Sequence, residues 1–229
     1  ILGGAEKALA EFIEKGDIPA ASTLLGLAAL PSSSRLYQGM IGMHGNVAPN
    51  IKTNECDVLI AVGMRFDDRV TGALSKYAKQ AKVIHIDIDA SEIGKIVPVE
   101  VGINANAAEV LPALTSMIGA RRRDAWVDSF SECSRIECEK VIDRELHPGE
   151  GHIRMGEVID KVSEVTGGGA VIVTDVGQNQ MMAARYSRFN RTRSFISSGG
   201  LGTMGFGLPA AIGAKMGAPD RQVCLFVGD

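Results

Sequence analysis

The segment AVIVTDVGQNQMMAARY, Ala170 to Tyr186, decides the fold. Ala170-Val-Ile-Val-Thr174 is a short continuous apolar run rich in β-branched residues, as expected of a strand buried on both faces. Gly177 to Tyr186 then reads as a loop entering a helix. Strand, glycine-containing loop and helix in that order form the repeating unit of a parallel sheet covered by helices. The same alternation continues outward. Glu157 to Val165 has helical periodicity, Ser194-Phe-Ile-Ser197 reads as a strand, Leu208 to Met216 suits a helix, and Val223-Cys-Leu-Phe-Val227 follows a turn at Ala218-Pro-Asp220. Far upstream, Ala5 to Glu14 repeats apolar residues near a 3.6-residue period. Asp57 to Val62 and Val83 to Ile88 read as strands, and Leu111, Leu114 and Ile118 share one face of a helix beginning near Ala107.

The fold class expected is therefore α/β, with two parallel-sheet regions. Between them, fourteen of the thirty residues from Arg121 to Glu150 are charged, and His147-Pro-Gly149 is a stop signal. Trp126, Phe130, Cys133 and Val141 are expected on the dry side of an amphipathic helix. The division expected is a first domain over 1–118, a charged helical linker over 119–151 and a second domain over 152–229.

A chain of 229 residues with 45% hydrophobic and 22% charged residues has ample material for a core. A formal charge of -3 supplies no general attraction to nucleic acid or to an anionic membrane, and no apolar run is long enough to span one. Cys56, Cys133, Cys138 and Cys224 lack Cys-x-x-Cys spacing, and the four histidines are scattered, so zinc is not indicated. Reduced thiols in strand-like surroundings favour a cytoplasmic or organelle interior. The chain starts at Ile1 without a signal-like segment, consistent with a processed protein, an internal fragment or a trimmed chain.

Several stretches carry polar chemistry beside glycine. Thr174-Asp-Val-Gly-Gln-Asn-Gln180 could present backbone N–H groups to an anion, or be an ordinary strand exit. Ser197 to Gly213 holds six glycines in seventeen residues, yet has neither a dinucleotide fingerprint nor a phosphate-loop lysine. It suits close approach to a ligand or tight packing equally. Arg65-Phe-Asp-Asp-Arg69 offers paired carboxylates flanked by arginines, either for acid-base work or as a salt-bridged turn. Asp87 and Asp89 could accept a ribose hydroxyl or cap the next turn. His44, in Met40-Ile-Gly-Met-His-Gly45, could move a proton or position a neighbour by a hydrogen bond.

Taken together, Gly39-Met-Ile-Gly-Met-His-Gly45, Arg65-Phe-Asp-Asp-Arg-Val-Thr-Gly72 and Ser198-Gly-Gly-Leu-Gly-Thr-Met-Gly-Phe-Gly-Leu-Pro209 closely resemble the large catalytic subunits of the acetohydroxyacid (acetolactate) synthase family of thiamin-diphosphate enzymes. The resemblance runs through essentially the whole chain. It implies that the first domain is most of a central FAD-binding domain, its first strand and the preceding glycines lying before Ile1. It implies that the last region is the first half of a domain binding thiamin diphosphate and magnesium, and that an activating N-terminal domain is absent from this sequence.

Residue by residue, the resemblance implies FAD contacts for Met43, His44, Gly45, Gly63, Arg65, Asp87 and Ile88. Gly177, Gln178 and Asn179 then lie near thiamin diphosphate, Gly202, Thr203 and Met204 in its pocket, with Met204 as apolar support, and Asp229 as the first Mg2+ ligand. Arg69 is the catalytic candidate, between flavin and incoming 2-ketoacid. Asn106 stands where many relatives have aspartate. The implied reaction joins pyruvate-derived hydroxyethyl-thiamin diphosphate to a second pyruvate or to 2-ketobutyrate in branched-chain amino-acid biosynthesis, with FAD required structurally. The implied assembly is a homodimer or homotetramer, with a regulatory subunit as a further partner. The 229-residue chain by itself is expected to be inactive, the alternatives being another thiamin-diphosphate decarboxylase or carboligase, or a non-enzymatic assembly fragment.

Overall fold

Strands and helices alternate through the computed structural model, which describes residues 1–149 and 151–228. Helix α1 (Glu6–Gly16) turns Phe12 and Ile13 inward and packs along α4 (Ala107–Met117), where Leu111 is fully buried. Helix α4 starts where Asn106 caps it, the side-chain oxygen accepting the Ala108 N–H at 3.0 Å. Strands β1 (Ala20–Ser22) and β2 (Tyr37–Met40) form one parallel pair. Strands β3 (Val58–Val62), β4 (Lys82–Asp87) and β5 (Val101–Asn104) form a second parallel sheet in that order. Ala20, Tyr37, Ile60 and Val62 cover the same apolar cluster around Phe12, Leu111 and Val127, so the two sheets share a core without sharing a ladder.

The connecting region is helical. Helix α5 (Asp124–Glu137) runs into a π-helical turn at Cys138–Ile142 and then α6 (Asp143–Leu146). The wide turn shifts the helical register of the residues beyond Glu137. Val127, Phe130 and Glu137 are buried, whereas Val141, expected on the same side as Phe130, is exposed.

In the last region, α7 (Met155–Val165), β6 (Val171–Thr174), α8 (Gln178–Tyr186), β7 (Phe195–Ile196), α9 (Gly207–Gly217) and β8 (Val223–Phe226) succeed one another. The three strands are parallel in the order β7-β6-β8. All four residues of β6 are buried, as a central strand covered on both faces requires. Ile159, Ala183, Tyr186 and Phe189 cluster around its Ile172 together with Leu27, Ala28 and Met40 from the first region. The two regions therefore share apolar packing. All four cysteines are free, and among the described residues no helix is long and apolar enough to cross a membrane.

Asp17 ties the end of α1 to the connecting region. It is 2% exposed, accepts the Arg123 backbone N–H at 2.5 Å and pairs with the Arg35 guanidinium. The Arg123 N–H, aided by Arg35 and opposed by burial, holds the Asp17 carboxyl below its usual range. A carboxyl whose folded pKa lies below the unfolded value of about 3.9 stabilises the fold above roughly pH 4 and loses that contribution as pH falls through the depressed value. Chemical denaturation between pH 2 and 6 should therefore show a smaller acid-induced loss of stability for Asp17→Asn than for the wild type, from a lower starting point. Leu111→Ala should lower unfolding free energy by about 2–5 kcal/mol through the cavity it leaves, measured by the same denaturation at neutral pH.

Candidate active site

Strand β6 is a switch point. The chain leaves it through α8 to β7 on one side, then crosses through α9 to β8 on the other. Loops beyond the C-terminal ends of such strands diverge and leave a crevice. Thr174, at the end of β6, donates its hydroxyl to Ser197 Oγ at 2.8 Å, and Gln180 Nε2 donates to the same oxygen at 2.6 Å. The two strand exits are thus joined at their base.

Gly177 is the N-cap of α8 and supplies no side-chain cap, so first-turn N–H groups are open to an anion. Gln178 and Asn179 begin that turn. Asn179 Nδ2 donates to Val176 O at 3.2 Å, while its buried Oδ1 has no hydrogen-bond partner among the described residues. A Cβ added to Gly228 would lie 3.5 Å from Asn179 Nδ2, so the chain beyond β8 passes beside this amide. Asp229 lies outside the described residues. Among those described, no three His, Cys, Asp or Glu side chains are grouped to hold a metal ion.

The glycine-rich loop lies against the exit of β6. The Gly202 N–H donates to Ser198 O at 2.9 Å and the Thr203 N–H to Ser198 Oγ at 3.0 Å. The Gly205 N–H donates to Asp175 Oδ2 at 2.9 Å. Gly205 has φ +82°, a conformation side chains resist. Held at these points, the loop leaves Thr203 exposed and Met204 82% exposed. Asp175 is itself buried, and its Oδ1 has no partner among the described residues.

On the first region, Met43, His44 and Gly45 form the turn between β2 and α2 (Val47–Thr53). A Cβ on Gly45 would run into Met40 O, so only glycine fits this turn. The Met43 N–H donates to Arg69 O at 2.8 Å, which brings the two sequence-predicted stretches together. Arg69 itself projects outward. Met43 and His44 line a cavity of about 390 Å³ with Gln178, Met181, Met182 and Arg185, so residues expected at two different cofactors meet in one space.

Gly63, Arg65, Asp87 and Ile88 lie at the exits of β3 and β4 and do not line that cavity. Arg65 pairs with Asp67 at 2.5 Å, and Asp67 caps the short helix α3 (Asp68–Thr71) by accepting the Arg69 N–H at 2.9 Å. That N–H, more than the Arg65 and Arg69 charges, holds the Asp67 carboxyl below its usual range against the opposing effect of burial. The paired acids are thus a capped, salt-bridged turn. Asp87 accepts the Asp89 N–H at 2.9 Å, and Asp89 caps the next turn by accepting from the N–H and hydroxyl of Ser91. Ile88 is largely exposed beside it. Asn106 is occupied as the cap of α4.

Sequence reasoning missed four residues. Asp175 had a signal, being the first acid after a buried strand, and Ser198 had one in its position before the glycines. Glu137 and Arg185 had none, since they meet across 48 positions of the chain.

The family described as thiamine pyrophosphate enzyme, central domain, matches residues 1–114, and that described as thiamine pyrophosphate enzyme, C-terminal TPP binding domain, matches residues 175–229. The chain is 45% identical to the acetolactate synthase large subunit of Lactococcus lactis, over 95% of this chain and 37% of that protein. It is 41% identical to the probable acetolactate synthase large subunit of Methanocaldococcus jannaschii, over 100% and 39%. For the chloroplastic acetolactate synthase 1 of Nicotiana tabacum the figures are 43%, 96% and 33%. The chain thus spans between a third and two fifths of the length of these curated relatives. With a central domain and a TPP-binding domain in one polypeptide, the chain belongs to the thiamine pyrophosphate enzymes.

Proposed function

We propose that the full-length protein is the catalytic subunit of an acetolactate synthase, which decarboxylates pyruvate and joins the two-carbon unit to a second pyruvate or to 2-ketobutyrate. The supporting observation is the junction at which Met43 and His44 of the central domain share a cavity with Gln178 of the TPP-binding domain. Identity of 41–45% to acetolactate synthase large subunits favours this reaction over a simple decarboxylation. The domains are divided at 1–118, 119–151 and 152–229. The 229-residue chain alone, covering 37–39% of two such relatives, is taken to be inactive.

The residues present fit thiamin diphosphate. The uncapped first turn of α8 suits the diphosphate, and the buried oxygens of Asp175 and Asn179 call for donors or a cation. Gly177, Gln178 and Asn179 would hold the diphosphate end, and Gly202, Thr203 and Met204 the ring end. When bound, thiamin supplies the electron sink for decarboxylation. The Asn179 carbonyl is a hard oxygen suited to Mg2+, with Asp229 as the carboxylate partner. FAD suits the exits of β3 and β4, where Asp87 keeps an oxygen for a ribose hydroxyl, and Gly63, Arg65, Ile88 and the Met43–Gly45 turn flank it. Arg69, exposed and bonded through its backbone to Met43, would meet the ketoacid carboxylate. The protein's part is to orient two substrates and exclude water.

The partners come from the same reading: pyruvate and 2-ketobutyrate, a homodimer or homotetramer, and a regulatory subunit matching the large-subunit names of the relatives. The place of action is the cytoplasm or, as for the chloroplastic relative, an organelle interior.

Full-length protein supplied with pyruvate, thiamin diphosphate, Mg2+ and FAD should form acetolactate and carbon dioxide. Folded, cofactor-loaded protein that releases only acetaldehyde would replace this reading with a decarboxylase. Asp175→Ala should lower stability by about 1–3 kcal/mol by stranding the Gly205 N–H, and weaken thiamin diphosphate binding measured by calorimetry. Asp175→Asn, which keeps an acceptor oxygen, should stay closer to wild type in both.

A further inference from the structure

The turn carrying Met43, His44 and Gly45 closes upon itself: Gly45 N–H donates to Gly42 O at 2.9 Å and Asn46 N–H to Met40 O at 2.7 Å. Those bonds give it shape but do not aim it at the TPP-binding domain. Two side chains from outside the turn do. Arg185 Nη1 donates to Gly45 O at 2.9 Å while its other terminal nitrogen pairs with Glu137 Oε1. Glu137 Oε2 accepts the Val47 N–H at 2.9 Å, at the first turn of α2. One carboxylate and one guanidinium, paired with each other, therefore hold the Gly45–Val47 segment at its two ends, joining α5, α8 and the turn.

The pair is enclosed, with side-chain exposures of 3% for Glu137 and 18% for Arg185. Arg185 stands seven residues after Gln178 on α8, two turns along the same helical face, with Met181 and Met182 between. All four line the cavity that also receives Met43 and His44. A contact at Arg185 thus fixes the angle at which this face of α8 meets the turn.

We propose that Arg185, braced by Glu137, is the positioning residue that sets the Met43–Gly45 turn against the Gln178 face of α8, and so fixes the spacing between the central-domain and thiamin-facing parts of the site. The guanidinium is needed because its rigid fork serves a carbonyl and a carboxylate at once; an ammonium is a single point donor without that fork. The proposal rests on the reading of Met43, His44 and Gln178 as cofactor-facing.

The test uses the full-length protein with Arg185→Met, Glu137→Met, the double variant and Arg185→Lys. Three readouts are taken: thermal unfolding, hydrogen exchange at the Met43 and Gly45 amides, and affinities for FAD and thiamin diphosphate by flavin fluorescence and calorimetry. Each methionine single variant leaves a buried charge unpaired and should lower the melting temperature, and the double variant should regain most of that loss. The Met43 and Gly45 amides bond to Arg69 O and Gly42 O, which no variant removes. Their exchange should nevertheless accelerate about tenfold in the double and lysine variants, with cofactor affinity falling about ten- to a hundredfold, the scale of loss from small misplacements. A double or lysine variant that keeps wild-type cofactor affinity would overturn the proposal, because the pair would then only fill space. If the wild type binds neither cofactor, the functional reading of the site fails. Exchange then decides the positioning by itself: acceleration upholds it, and unchanged rates refute it.

Discussion

A carboxylate taken out of water must be answered by hydrogen bonds, and Glu137 is answered from two directions. Its two oxygens meet the Val47 N–H and the Arg185 guanidinium, and Arg185 reaches on to Gly45 O. Three segments remote in sequence are held by this one arrangement: the end of α5, the turn before α2 and the last turn of α8. The apolar packing of Leu27, Ala28 and Met40 against Ile159 and Ala183 brings the regions together, but such packing is non-directional. The charged pair supplies the direction.

The elements legible in the sequence are those whose local pattern and tertiary role agree. Strand β6, buried on every residue, and helices α1 and α7 fall near their expected positions because period and apolar content point the same way. Strands β1 and β2 were illegible because Ala-Ala-Ser and Tyr-Gln-Gly-Met have no two-residue apolar period, and their parallel pairing links segments well apart in the chain. Helix α5 was legible in its first three turns, until the π-turn altered the register that placed Val141 beside Phe130.

Site residues divide similarly. Turns that need glycine leave a mark in the sequence, so the Gly45 and Gly205 positions stand out from their residue type and neighbours alone. The roles of neighbouring acids do not. Asp67, Asp87 and Asp89 are alike in composition, yet one caps a helix, one closes a strand and one caps a turn. Asp175 and Arg185 act through partners 30 and 140 positions away, a distance over which local spacing carries no information.

Helix α9 has a consequence for how the chain behaves in a tube. Leu208, Ile212 and Met216 recur at four-residue intervals along it, and all are exposed, continuing toward the equally exposed Leu201 and Met204. An uncovered greasy stripe of this length lowers the concentration at which molecules adhere to one another. Melting points and solution masses for this polypeptide will consequently drift with protein concentration, and dilution series are the natural coordinate for any measurement made on it.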